Sequence, residues 1–419
     1  MNWMQRMAGF GLSQSVSDQD HWFFQAFGGR TGAGVTVSEY SAMNVPAMFA
    51  CVSRIADSIA QLPFHAYRRT ADGGREMVTD HRVSRLLRKP NPYMNAFTFK
   101  RTHISQACLW GNGYAEQEIN GRGEVVHLWP LLPDRTAMFK AQSGDALKYR
   151  TLVDGQSYEL DHDMVCHVKS ISPDGYTGYS MVGLMRRAIG MAIAMEVYGE
   201  KFFEGDARSG GFVQHPLTLS ETAKKNLSDS LQKQGGLDNA HRIKVLEEGA
   251  KFIQTTIPQD DAQFLGSREF QISEFARVYN VPLVLLQSQS GSTVWGTGIE
   301  SLMIGFVTYS LGPWIRQLEE EWTDKLFTAD ERDQGYYVKC TTNALLRGDM
   351  AARAAWYKAM SEISAYNGND VRRLEDENPR DGLDTHYRPS SWVPVDGDQG
   401  GQPAAPAPSR GRNSKKVNK

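Results

Sequence analysis

Cysteine is scarce in this chain of 419 residues, and the four present, Cys51, Cys108, Cys166 and Cys340, form no CxxC pair. Neither a disulfide framework nor a zinc site is signalled, so a reducing cytoplasm and four buried small hydrophobes are the expectation. Charge excess is also missing: 46 basic residues stand against 48 acidic ones, for a net charge of −2. That balance argues against a protein that grips nucleic acid through a wholesale basic surface, or that reads sequence with a basic recognition helix. Long apolar runs are lacking too. The opening MNWMQRMAGFGLSQSVSDQD has no apolar core of a targeting peptide, and the longest charge-free apolar run, Leu302 to Ile315, is too short for a bilayer and contains Pro313. No membrane span is expected.

Catalytic signatures are absent as well: there is no HExxH, no GxSxG and no Walker motif. GGRTGAGVT (28–36) has the glycine separation of a phosphate loop, but Val35 and Thr36 stand where the motif needs Lys then Ser or Thr, so it reads as linker. Asp134, Asp161, Asp163, Asp174, Glu319, Glu320 and Glu321 could be grouped into a carboxylate pair, and Ser180 with His167 into a nucleophile and base. Nothing in their spacing asks for it, and Glu319 to Glu321 reads as a solvated helix face. His162 and His167, five apart in a strand, fall on opposite faces, which predicts one solvated and one hydrogen-bonded histidine rather than a metal pair. No cofactor is expected.

What is present centres on 259–327. Phe264, Phe270, Ile272, Phe275, Ala276 and Val278 recur at three- and four-residue steps, predicting an amphipathic helix that stops at Pro282. Gln287 to Gly298 then carries no charge and is rich in Ser, Thr and Gly, the composition of a loop. Helical periodicity returns from Ile299 to Phe327, with a kink expected at Pro313. Upstream, residues 1–40 read as a flexible arm. From Ala42 helices alternate with strands: helices over 45–61, 81–88 and 97–110, strands at 64–68, VVHLWPLL, ALKYRTLV, SYELD and MVCHVKS, then one long helix over 179–205. About fifty residues follow with a small αβ pattern: strands at 211–215, 242–246 and 252–257, and a helix over 220–234 for which Ser220 is a good N-cap. A strand at 336–341, helices over 349–366 and 369–375, and a turn-rich tail with a basic end complete the chain.

ACVSRIADSIAQLPFHAYRR (50–69), HRVSRLLRKPNPYMNAFTFK (81–100), GNGYAE (111–116), LWPLLPDR (128–135), DGYTGYS (174–180), KFFEGDARSGG (201–211), DDAQFLGSREF (260–270) and ALLRGDMAARAAWY (344–357) together resemble the portal proteins of HK97-like tailed phages. The resemblance spans about Ser41 to Pro379. It departs at Gly266, where the family more often has glutamate, and at Val294 to Gly298. It implies an α+β portal fold: an arm (1–40), a wing (41–178) completed by a returning strand, stem helices (179–207 and 258–282), a clip insertion (208–257), a tunnel loop (283–298), a long kinked helix (299–341), a helical crown (342–380) and a disordered tail (381–419).

It further implies a non-enzymatic cyclic homo-oligomer, most often of twelve subunits, at one capsid vertex of the virion, assembled in the host cytoplasm. The expected partners are double-stranded DNA without sequence preference, the terminase large subunit that supplies the energy, major capsid protein and scaffold, and a head-tail adaptor. Lys224, Lys225, Lys233, Arg242 and Lys244 of the clip are candidate partner contacts, although a solvated helix face explains the lysines equally well.

The charge of the loop suggests a mechanism. Each Lys or Arg fixed on a phosphate adds counterion-release free energy and hence a barrier to sliding, multiplied by the copies in a ring. Gln287, Ser288, Gln289, Ser290, Gly291, Ser292 and Thr293 offer exchangeable hydrogen bonds, and Val294 with Trp295 an apolar tip. Burial of Trp295 beneath the loop is the competing reading. A hydrolase, or a DNA-binding module without a recognisable motif, is the alternative function.

Overall fold

The computed structural model describes residues 34–141, 146–204, 211–214, scattered positions between 218 and 229, and residues 251–254, 261–287, 297–342, 350–375 and 377–387. Chain order begins with α1 (Glu39–Ala42) and α2 (Pro46–Gln61), the latter opened by a proline whose missing N–H costs nothing at a helix start. Met48, Val52, Ile55 and Ile59 make the buried stripe of α2, each worth about 1.5–3 kcal/mol relative to exposure. The arm expected over 1–40 is docked before it ends. Val37 is buried, Ser38 and Ser41 close a reciprocal cap on α1, and Tyr40 donates to Asp134 at 2.9 Å while lying edge-on to Trp110.

Three antiparallel sheets build the wing. β1 (Phe64–Arg69) is flanked by β2 (Arg75–Met77) and by β11 (Tyr336–Cys340), so the strand that returns from far along the chain joins the first domain. β3 (Asn112–Ile119) lies between β4 (Val125–Leu131) and β8 (Val165–Lys169). β6 (Leu147–Val153) lies between β5 (Thr136–Lys140) and β7 (Gln156–Asp161). β5 is not among the predicted strands. TAMFK follows a proline turn too closely to stand out, and pairing with β6 through the buried Thr136–Thr151 hydroxyl contact is what makes it a strand.

α3 (Arg82–Arg88) and α4 (Ala96–Trp110) precede β3. Asn95 caps α4 by accepting the Thr98 N–H at 2.7 Å, and Gly111 ends it in the left-handed region at φ 78°. A Cβ on Gly111 would sit 2.0 Å from the Tyr179 carbonyl, so only glycine fits where α4 meets the 170–180 loop. All four cysteines are buried and free, and burial pushes the Cys51, Cys108 and Cys340 thiols up to about 12.

The long helix expected over 179–205 divides at Met185 into α5 (Met181–Leu184), capped by Ser180, and α6 (Arg186–Glu204). In the insertion, β9 (Gly211–Gln214) pairs with β10 (Lys251–Gln254), whereas the strand expected at 242–246 lies outside the described residues. α7 (Asp261–Val278) packs back on the wing through Phe275 and Tyr279, which join the same hydrophobic cluster as α2 and α4.

The kink expected at Pro313 takes a specific form. α8 (Thr297–Gly305) passes into a π-helical turn at Phe306–Leu311 and then into α9 (Gly312–Leu326). The Gly312 N–H reaches back five residues to the Val307 carbonyl, so the wide turn comes immediately before the proline that cannot donate.

α9 overturns the reading of Glu319 to Glu321 as a solvated face at two of its three positions: Glu319 is 4% exposed and Glu321 is held by the His167 N–H, while Glu320 is exposed and pairs with Arg316. Glu319 accepts the Cys340 N–H and the Lys339 ammonium, both at 2.8 Å, and Thr323 accepts the Val338 N–H at 2.9 Å. One helical face thereby satisfies the open edge of β11. Gln317 and Glu321, on the other side, accept the N–H groups of Lys169 (3.2 Å) and His167 (2.9 Å) on the open edge of β8. Side chains two apart diverge by some 200° on a helix, which is why alternate positions serve two different sheets. Burial pushes the Glu321 carboxyl up, opposed by the His167 N–H and Lys325. α10 (Ala329–Asp333) then leads into β11, with Glu331 completing a capping box on Thr328 and pairing with Arg82 at 2.5 Å.

The segment from Arg347 onward forms a second compact unit. In it, α11 (Met350–Glu362) is followed by α12 (Gly368–Leu374), which starts from a reciprocal cap between Asn367 and Asp370. Within the segment expected as tail, residues 381–387 are held: buried Asn369 donates to the Arg380 carbonyl and to Asp384, and Ser364 to the Tyr387 carbonyl, while 388–419 lie outside the described residues.

Substituting Glu319→Ala leaves the Cys340 N–H without its acceptor at a buried site and should lower unfolding stability by about 2–3 kcal/mol in urea denaturation, with Glu319→Gln intermediate. A change below about 0.5 kcal/mol would contradict this role of α9.

Candidate channel loop and its anchors

Both flanks of the uncharged segment are fastened to the core. On its N-terminal side α7 ends as Asn280 turns left-handed at φ 51°, and the Val281 N–H bonds the Ala276 carbonyl at 2.9 Å. Buried Tyr279 donates to the Cys108 carbonyl of α4 at 2.9 Å, pinning this end to the core. A short 3-10 turn at Leu283–Leu286 follows, its Leu285 carbonyl held by the Arg54 guanidinium of α2 at 3.1 Å.

On the C-terminal side α8 is continuous, through the π turn, with α9 and its two edge contacts. The two sides are also tied together, since the Ser310 hydroxyl in the π turn donates to the Asn280 carbonyl. A cleft of about 580 Å³ separates α7 from α8, lined in part by Ala276, Arg277, Leu302, Phe306 and Tyr309.

Of the loop residues singled out in the sequence, Gln287 is described: it is exposed, in the left-handed region at φ 57°, at the end of the 3-10 turn. Ser288, Gln289, Ser290, Gly291, Ser292, Thr293, Val294 and Trp295 lie outside the described residues. The anchors extend the pattern the sequence reading drew too narrowly. From Val278 to Ile315 the only charged residue is Glu300, so both flanks share the electrical silence of the loop. Exposed apolar side chains on these flanks, Ile304 and Tyr309 (74% exposed), were not singled out, although the charge-free helical run marked their position.

α6 and α7 touch. Gln271 lies 3.1 Å from the Met195 sulfur, and Arg268 reaches Glu196 at 3.7 Å. Yet Met191 and Phe270 stay more than half exposed, an apolar surface this helix pair does not cover itself. In the insertion, Lys224 and Lys225 are exposed on a helical stretch, with Lys224 pairing locally with Glu221 at 2.8 Å; Lys233, Arg242 and Lys244 lie outside the described residues.

The groups that could have suggested chemistry are occupied structurally. Ser180 caps α5 and donates to Glu39, while both ring nitrogens of buried His167 are engaged, Nδ1 by the Tyr149 hydroxyl (3.1 Å) and Nε2 by Asn112 (3.0 Å). His162 is half exposed in a 3-10 turn next to Lys325. Asp161 pairs with Lys148, Asp163 with Lys325, and Asp174 accepts the Tyr176 and Thr177 N–H groups of its own loop. Among the described residues no group of three or more His, Cys, Asp or Glu side chains could hold a metal ion, and no helix is long and apolar enough to cross a membrane.

The family profile described as "Phage portal protein" matches residues 46–376. This chain belongs to the phage portal protein family. Among proteins similar to it, the portal protein of Enterobacteria phage HK97 is 30% identical over 364 residues, covering 86% of this chain and 85% of that protein. A "Probable portal protein" of Streptomyces phage phiC31 is 31% identical over 374 residues, covering 86% and 81%. The crystal structure of an HK97-family portal protein from Corynebacterium diphtheriae shares the fold at TM-score 0.54 and 13% identity, over 75% of this chain and 99% of that one. A chain from the neck of a native gene transfer agent particle, computed with C12 symmetry, does so at 0.53 and 21% identity, over 90% and 99%.

Burial also fixes a pH response in the wing of this portal-family chain. Burial holds His103 down to about 4, opposed by its bond to the Gly113 carbonyl at 2.9 Å, and holds His167 well below its usual value. Both are neutral when folded and charge more readily when unfolded, so stability is present above about pH 6.5 and is lost as pH falls toward 4. Urea midpoints measured across that range should fall steadily with pH, and His103→Gln should flatten the slope; an unchanged midpoint down to pH 4.5 would contradict it.

Proposed function

We propose that this protein closes into a ring at one vertex of a phage capsid, and that double-stranded DNA enters and leaves through the hole, past the segment 283–298. The observation that carries the reading is the sequence from Val278 to Ile315, charge-free but for Glu300 and with both described flanks anchored, in a chain of the portal family. Such a surface touches a polyanion without a counterion-release trap, so DNA can slide.

The exposed apolar faces of α6 and α7 support self-assembly, since Met191 and Phe270 offer a neighbouring subunit apolar surface. Twelve copies is the number suggested by the C12 symmetry of the related neck particle. In this scheme the insertion around β9 and β10, with Lys224 and Lys225 on its surface, meets the terminase large subunit during packaging and head-tail adaptors afterwards. Capsid protein and scaffold hold the wing, and the whole resides in the virion after assembly in the host cytoplasm. The energy comes from the terminase, and the ring itself carries out no reaction.

Two measurements test this. Ser290→Lys or Ser292→Lys should slow packaging in a reconstituted reaction by at least about tenfold at low salt, with partial recovery at higher salt, while the ring stays intact; unimpaired packaging contradicts the loop's role. Phe270→Arg should leave the subunit folded but abolish ring formation in analytical ultracentrifugation; intact rings would remove α7 from the subunit interface.

A further inference from the structure

The sheet β2-β1-β11 has a second face that the core does not use. Phe64, Ala66, Val338 and Cys340 turn inward and are buried, so the alternate positions lie on the opposite side. There the register sets Tyr67 beside Tyr337 and Arg69 beside Arg75, with His65 opposite Lys339. The two tyrosine rings stack at 5.9 Å between centroids with 27° between planes. Arg75 lies over the Tyr67 ring at 5.1 Å and Arg69 over the Tyr337 ring at 5.7 Å. Neither arginine has a carboxylate partner among the described residues, and no strand position on this face is acidic; Lys339, by contrast, is already paired with Glu319 of α9 at 2.8 Å, which leaves Arg69 and Arg75 as the open cations.

The geometry points to a second DNA contact here: the outer face of β2-β1-β11 binds the phosphate backbone of duplex DNA, without sequence preference and apart from the channel. Three features select this ligand. The arginines are held in place over aromatic rings, so less side-chain freedom is lost when their N–H donors meet phosphate oxygens. Two arginines on adjacent strands, with the turn's Asp72 already accepting from Thr70 and the Gly74 N–H, suit a repeating anion better than one carboxylate. The exposed large apolar side chain of the face is Met77, the Tyr67 and Tyr337 rings being partly covered by each other and by the two arginines, which is little for the desolvated centre of a protein interface, whereas phosphate recognition needs none. The contrast with the channel is chemical: one surface omits charge so that DNA slides, the other concentrates charge so that DNA is held. The choice of duplex as the polyanion rests on the proposed conduit; the cationic face itself does not.

The test is fluorescence anisotropy of a short labelled duplex of arbitrary sequence titrated with the purified full chain. Arg69→Gln with Arg75→Gln should weaken binding by about tenfold at low salt and reduce the slope of log K against log salt by about 2, one unit per lost phosphate contact. Tyr67→Ala with Tyr337→Ala should weaken binding, and Tyr67→Phe with Tyr337→Phe should restore most of it, because the ring rather than the hydroxyl holds each arginine. Three results would overturn the assignment: affinity and slope unchanged in the arginine variant; rings falling apart in that variant, which would make the face a subunit contact; or polyglutamate displacing the duplex at equal charge concentration, which would make it a site for an acidic protein. Each can occur while Ser290→Lys still stalls packaging, so the conduit and this face fail separately.

Discussion

The structure depends on one helix filling the gap between two unfinished sheets. β8 and β11 each leave a row of N–H groups without a strand partner, and an open edge of that kind is costly when buried and sticky when exposed. α9 answers both with side chains: Gln317 and Glu321 on one side, Glu319 and Thr323 on the other. Trp322, almost fully buried, packs edge-on against Phe64 and locks the helix at that depth. Two distant stretches of chain, the 165–169 strand and the 336–340 strand, are thus tied to a single rigid rod.

The consequence reaches the loop because α9 is the far end of the element that carries it. One flank of the segment descends through the π turn into α9 while the other is pinned by Tyr279 and Arg54, and the proposed contact with a moving polymer would need such firm anchors. The π turn, with Ser310 bonded across to Asn280, is where the two ends meet. Rigid supports with an electrically silent span between them are what a sliding contact needs; charge is kept for surfaces with other tasks.

Much of this was legible beforehand, and the misses have physical causes. Periodicity and turn residues located α2, α4 and most wing strands, and the order of motifs gave the family. The π turn was legible only as a kink, because Pro313 announces a lost hydrogen bond but not how the backbone absorbs it. Glu319 and Glu321 were misread, since three consecutive acids look like a solvated face until a neighbouring edge needs acceptors. β5 and the docked residues 37–42 and 381–387 owe their form to tertiary partners, Thr151, Asp134 and Asn369 among them, which local pattern does not contain. The lack of charge in the loop and in the run Leu302 to Ile315 was plain in the sequence; how the flanks are fastened emerged with the fold.

The central claim is that many copies of one uncharged span meet at an axial opening. Electron cryomicroscopy of the purified assembly with a duplex threaded through it tests this most directly. The account predicts a ring whose narrowest point is formed by residues 287–298, lying against the DNA with no lysine or arginine at that level. A ring with those residues on its outer rim, or a constriction lined by basic side chains, would contradict it.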